Sequence, residues 1–350
     1  MNSKDQYIIV GGGLSGLFLA YLLSKIDISA TILEASPRLG GRILTTKGKR
    51  DTPLELGATW FSDMHPNLLQ LIDELGLSKY PQFSKGVSLF ETKSFEPPQE
   101  FHIPESQNPS YRIAGGTQRL TDELAERLSE ENIHLNAKIQ SITSSASYLE
   151  LETTDGKVYK GNKVILCIPP ELISRIKFTP ELPAEINEIL PNVQTWMAGA
   201  VKFVVEYEEP FWRKKGYSGM LFSHAGIVSE MYDHTNVEET KYGFTGFLNG
   251  GSAGFSKETR KENVLQHLNK LLGEKANSPT YYDDKVWTDE FLVCESQNVH
   301  RPHQNNGHPL LQKAYMNESL FFCNTETAVK FSGYMEGAIS SSKTLFEKLK

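Results

Sequence analysis

Gly11, Gly13 and Gly16 constrain this chain more than any other residues. They stand in Tyr7-Ile8-Ile9-Val10-Gly11-Gly12-Gly13-Leu14-Ser15-Gly16, where a β-rich run meets the spacing G-x-G-x-x-G. An apolar helical pattern follows from Leu14 to Ile26, and a second β-rich run, Ala30-Thr31-Ile32-Leu33, ends on Glu34. Strand, tight turn, helix, strand and acid come in the order that a dinucleotide site needs. Gly11 permits the sharp turn, Gly13 lets the backbone approach a pyrophosphate, and Gly16 allows close packing of helix on strand. The helix N-terminus offers free N–H groups and partial positive charge to phosphates. Glu34 lies about 20 residues on, where an acid accepts from ribose hydroxyls. The spacing alone would also suit a glycine-rich turn without a ligand; the flanking elements make it a binding signature.

Pro37-Arg38-Leu39-Gly40-Gly41-Arg42 follows the second strand and sets two glycines between two arginines. Such a backbone can approach an anion, and guanidinium forks suit phosphate better than a lysine's point charge. The balance of 36 basic and 43 acidic residues, a formal net charge of -7, leaves no basic stripe to displace counterions, so nucleic acid is not an expected partner. Cys167, Cys294 and Cys323 are scattered and odd in number, which points to a reducing, cytoplasmic setting without a disulfide framework. No signal-peptide pattern opens the chain, and its longest apolar run is too short for a bilayer, so no membrane anchor is expected. His300, His303 and His308 lack metal-ligand spacing, and no metal is expected.

Leu54 to Phe61 reads as a strand ending in small residues. His65-Pro66-Asn67 opens a predicted helix with Leu68, Leu71, Ile72 and Leu75 on one face, stopped by Gly76. Gly115-Gly116-Thr117 opens another, with Leu120, Leu124 and Leu128 in register. Asp155-Gly156 marks a hairpin turn. Lys163 to Ile168 and Leu320 to Asn324 read as strands buried on both faces. Glu262 to Leu272 and Gly333 to Lys350 read as helices.

Taken in order, these pieces resemble the flavin-containing amine oxidase family, monoamine oxidases in particular, nearly end to end. Gly11 to Gly16 with Glu34 is similar to the ADP-binding fold for FAD, and Arg38 to Arg42 to the second flavin fingerprint along the pyrophosphate. Gly57-Ala58-Thr59-Trp60 resembles the segment beside the flavin ring. Ala114 to Thr117, the buried strand Val164 to Ile168 with Pro169-Pro170, Gly199 to Lys202, and Pro210-Phe211-Trp212 match further family segments. Thr325-Glu326-Thr327 with Ser332 to Ala338 resembles the C-terminal flavin signature.

The resemblance implies an α/β fold: a Rossmann-like FAD-binding domain with a βαβ unit (1–78, 111–172 and 288–350) and a smaller α+β substrate domain (79–110 and 173–287). It implies FAD held by Gly11, Gly13, Leu14, Ser15, Gly16, Glu34, Ala35, Arg38, Gly41, Arg42, Gly57, Ala58, Thr59, Trp60, Ile139, Glu326 and Met335. Glu326 would accept from ribityl hydroxyls. The helix from Tyr334-Met335 would aim its positive end at the flavin, with Gly333 and Gly337 permitting close approach. Lys202, alone in an apolar strand, would hold a water against flavin N5, and Tyr334 would form one wall of an aromatic cage for the amine.

Two departures stand out. The second cage aromatic is missing from Cys294 to His300, and Cys294 is off the register of the family's covalent flavin link, so non-covalent FAD is expected. The stretch between Phe61 and Tyr111 is shorter than the helical insertion that roofs the family's cavity, which leaves room for a protein partner over the site. The expected activity is oxidation of an amine to an imine, with dioxygen reduced to hydrogen peroxide. The alternatives are an FAD-dependent desaturase or dehydrogenase of a non-amine, or an FAD-binding scaffold or subunit needing a partner.

Overall fold

The computed structural model describes residues 6–104, 108–289 and 303–350. Tyr7–Val10, buried at every position, sits at the centre of a five-stranded parallel sheet between Lys163–Leu166 and Ala30–Leu33, with Leu320–Phe322 and Ile133–His134 at the edges. Alternation along the strand sends Ile9 to one face and Ile8 and Val10 to the other. The helices Leu14–Ser24, Pro66–Glu74, Gln118–Glu126 and Met335–Leu349 cover the Ile9 face. On the other face lies a four-stranded sheet built around the Asp155-Gly156 hairpin.

A seven-stranded sheet forms the second layer system, with Val228–Asp233 at its middle, Tyr242–Leu248 and Val201–Tyr207 next to it on one side, and Val87–Glu91 and Gln99–His102 at the far edge on the other. The helix Lys257–Leu272, capped by the Ser256 hydroxyl, packs on one face of it. The other face meets the ribbon of Thr45–Lys47 and Pro53–Glu55 through Leu54, Leu56 and Val204.

The structure departs from sequence expectation in five places. The strand expected over Leu54 to Phe61 ends at Glu55, because the Leu56 and Gly57 amides both turn onto the Leu44 carbonyl. The first helix stops at Ser24, not Ile26, and the chain reverses through Asp27 with φ 60. The helix expected from Glu262 begins five residues earlier at Lys257, and the last helix begins at Met335. Ile176, Leu182, Ile186, Leu190 and Val193 pack with Ile8 and Val164, so the expected boundary at 172/173 falls inside one core cluster.

Candidate active site

A cavity of about 400 Å³ opens at the carboxyl ends of the central parallel strands, where ligands bind in open α/β sheets. It brings together Gly11, Gly13, Leu14, Ser15, Glu34, Ala35, Gly41, Arg42, Ala58, Ile139, Tyr334 and Met335 from the sequence-derived set. Cys167 to Pro169 with Leu172, Arg175 and Ile176 also line it; the first three lie in the segment matched to the family but were not assigned to the site, and the last three carried no signal in the sequence.

The glycines divide by what they meet. A Cβ on Gly16 would stand 2.1 Å from the Gly11 carbonyl oxygen, so only glycine fits there. A Cβ on Gly13 would meet nothing nearer than Gly41 Cα, at 3.9 Å; this is an open cradle that an anion can enter. Glu34, 5 % exposed, accepts from the Gly12 amide at 2.6 Å and the Ser36 amide at 2.7 Å. Burial raises its pKa, and those two amides oppose the rise.

Several expected ligands of the cofactor are engaged with the protein itself. Arg38 donates to the carbonyls of Leu39, Gly41 and Ile43, so its guanidinium shapes the loop and does not line the cavity. Arg42 lines the cavity and forms a two-pronged ion pair with Glu326, at 2.6 and 3.1 Å; Glu326 itself is fully buried outside the lining. Gly333 and Gly337 answer to the protein's own packing. Their Cβ atoms would strike Trp196 and the Phe331 carbonyl, respectively. The Trp60 indole donates to Gln82.

Lys202 is 2 % exposed in a strand buried at all positions. Its ammonium donates to the Gly57 carbonyl at 2.7 Å and the Thr59 hydroxyl at 2.5 Å, on the segment that enters the cavity at Ala58. Burial pushes its pKa down to about 7, against the pull of Glu55. Around it stands a buried charged group that sequence reading missed. Glu55 accepts from the Thr117 amide and the Thr45 hydroxyl, and Arg112 donates to the Thr235 carbonyl over the Tyr80 ring. His234 is fully buried, and neither ring nitrogen has a partner among the described residues. An acid inside Leu54-Glu55-Leu56 was the one signal that could have revealed it.

Tyr334 is 41 % exposed. Its ring lies nearly parallel to those of His303 and Trp196, each at 6.3 Å, and 5.9 Å from His65. The positions expected to hold a second cage aromatic, and Cys294, lie outside the described residues.

The family model for flavin containing amine oxidoreductases matches residues 14–100 and 88–344. The protein named "Probable flavin-containing monoamine oxidase A" in Dictyostelium discoideum is 24% identical over 454 aligned residues, with 100% of this chain and 98% of the relative covered. Amine oxidase A of Sus scrofa is 24% identical, with 96% and 83% covered. Among solved structures, putrescine oxidase superposes with a TM-score of 0.83 at 22% identity, over 99% of this chain and 98% of that one. Cyclohexylamine oxidase from Brevibacterium oxydans IH-35A does so with 0.84 at 18%, over 99% and 100%. At these identities the superpositions speak for the fold.

Proposed function

Because the chain belongs to the flavin-containing amine oxidoreductase family, we propose that it is an FAD-dependent oxidase of a small amine, with dioxygen as electron acceptor. The observation that carries this reading is Lys202. It is a buried ammonium fixed to the Gly57–Thr59 segment at the rim of the cavity.

The residues present fit FAD. Gly13 and Gly41 leave an open cradle for the pyrophosphate, with Arg42 beside it. Glu34 keeps acceptor capacity for ribose hydroxyls after its two amide bonds. When bound, FAD supplies the two-electron chemistry that takes an amine to an imine, for hydrolysis in water, and dioxygen to hydrogen peroxide. The N-terminus of Met335–Leu349 opens on the cavity and stabilises negative charge there. Lys202 holds a water at the reacting face, and Tyr334 offers an aromatic wall to the amine. With Cys294 off the attachment register, FAD is held non-covalently. Acid precipitation should leave a yellow supernatant; flavin retained in the pellet would overturn this.

A division into FAD and substrate domains belongs to the same reading, with the second boundary moved from 172/173 to near residue 200. So does a cytoplasmic setting, supported by Cys167 and Cys323, which are free and buried. A protein partner over the site is supported by the exposure of Met64 and Met197, next in sequence to His65 and Trp196. No helix among the described residues is long and apolar enough to cross a membrane. The deciding experiment is an amine panel against the purified yellow protein, read as flavin bleaching without oxygen and peroxide formation with it. Bleaching by at least one amine is expected; an FAD-loaded protein that no amine bleaches sinks the proposal.

A further inference from the structure

The large sheet carries a carboxylate on the same face as Lys202. Lys202 pairs with Phe247, and Phe247 pairs with Glu230. Paired residues on neighbouring strands share a face, so the three form a row whose ends lie two strand spacings apart, about 10 Å between Cα atoms. Tyr232 stands on the same face, and its hydroxyl donates to Glu230. Trp60 meets the Tyr232 ring edge-on at 4.8 Å and lies 6.4 Å from Phe247, while Phe222 lies 6.2 Å from Tyr232. Glu230 and these rings are all part-exposed, so the row borders open space.

Among the described residues Glu230 makes no ion pair. Lys202 feels its charge but donates to the Gly57 carbonyl and the Thr59 hydroxyl. A half-buried carboxylate ringed by aromatic side chains, with no cation of its own, is unfavourable without a ligand and well matched to an ammonium. If the proposed function holds, the amine that reacts sits at the Lys202 end of the row. It reacts as the neutral base and needs no counter-charge. A second nitrogen farther along the substrate would be protonated and would need one.

We propose that Glu230 binds a distal ammonium of the substrate, and that the substrate class is therefore diamines or longer polyamines; this rests on the amine oxidase reading. The row spans a spacer of about four to six carbons, once the side chains reach inward from Cα atoms roughly 10 Å apart.

The test uses the FAD-loaded protein and two probes: pentane carrying a trimethylammonium group at both ends, and pentane carrying one. Their quaternary nitrogens have no lone pair and are not oxidised, so calorimetry reads binding apart from turnover. The dication should bind roughly ten- to hundredfold more tightly, as one charge-assisted contact predicts. Glu230→Gln should remove that preference and Glu230→Asp should keep part of it. Equal binding of the two probes, or a preference that survives in Glu230→Gln, overturns the inference. In turnover, Glu230→Gln should raise KM for 1,5-diaminopentane and narrow its kcat/KM advantage over pentylamine. A protein that prefers the dication yet bleaches with no amine keeps this inference and loses the proposed function. One that oxidises both amines alike does the reverse.

Discussion

The cavity behind the first glycines and the face around Lys202 both hold buried polar groups, but they are assembled differently. In the cavity the chain satisfies its polar groups locally. Glu34 bonds to Gly12 and Ser36, and Arg38 bonds to carbonyls one, three and five residues away. Around Lys202 the partners come from afar: Gly57 and Thr59 are 145 and 143 residues away, Glu55 precedes them on the same segment, and Arg112 and His234 arrive on two others. A site made of backbone and near neighbours depends on residue types at fixed spacing. A site made of distant side chains depends on how the sheets meet.

If that contrast is right, the largest effects should come from the glycines, and they should split. Gly16→Val would drive a side chain into the Gly11 carbonyl, a backbone atom of the turn that cannot move aside. We expect loss of folded protein, more than about 4 kcal/mol of destabilisation, read as soluble yield and melting temperature. Gly13→Ala has room and an ordinary φ of -80, so the melting temperature of the flavin-free protein should hold while FAD retention falls. Equal damage from the two would mean that the cradle is a packing feature and not a binding one.

Glu34→Ala comes next. It strands the buried Gly12 and Ser36 amides, at about 1–3 kcal/mol each, and removes an acceptor for ribose. Stability and FAD content should fall together. Unchanged FAD affinity beside a lower melting temperature would restrict Glu34 to bracing the turn.

The same contrast explains what was legible beforehand. The parallel sheet and its βαβ unit followed from glycine spacing and from strands that read as apolar runs, and so did Gly11, Gly13 and Glu34 in the cavity lining; Ala58, Ile139, Tyr334 and Met335 came only through the family resemblance. Lys202 stood out because a lysine inside a buried strand needs a reason. Glu55 was in plain sight between Leu54 and Leu56, but nothing in the sequence says that it lies behind Lys202. Arg112 and His234 sit in short strands and turns of mixed composition, and their burial comes only from the packing of the ribbon Lys79–Pro81 and Tyr111–Ile113 on the large sheet. Arg38 carries a related lesson. Spacing shows an arginine near a phosphate loop, but not that the loop's own carbonyls claim it.

Lys202→Met probes the long-range site directly. Methionine fills a similar volume without charge, so strand and flavin content should persist. Flavin reoxidation by oxygen should slow by about a hundredfold, the lower end for losing a preorganised polar group. The sign of the pH dependence follows from the lowered pKa. The ammonium is charged below about 7 and neutral above it, so the assisted reoxidation should decline as pH rises through that value. The variant's profile should be flat there. Stopped-flow measurement of the two half-reactions separates this from an effect on reduction, and identical rates for parent and variant would remove Lys202 from the chemistry.

The smallest expected effect concerns Tyr334. Because the ring is 41 % exposed, its contact with an ammonium or amine is worth about 0.5–1 kcal/mol, against about 2 for a desolvated one. Its neighbours Trp196, His303 and His65 come from three other segments and stay in place without it. Tyr334→Ala should therefore raise KM by roughly two- to fivefold and leave FAD content unchanged, since each 1.4 kcal/mol is a factor of ten. A fall in kcat/KM beyond a hundredfold would show that one ring orients the amine alone. The site around the lysine face would then hinge on a single residue, as the glycine cradle does, and the two regions would differ less than their construction implies.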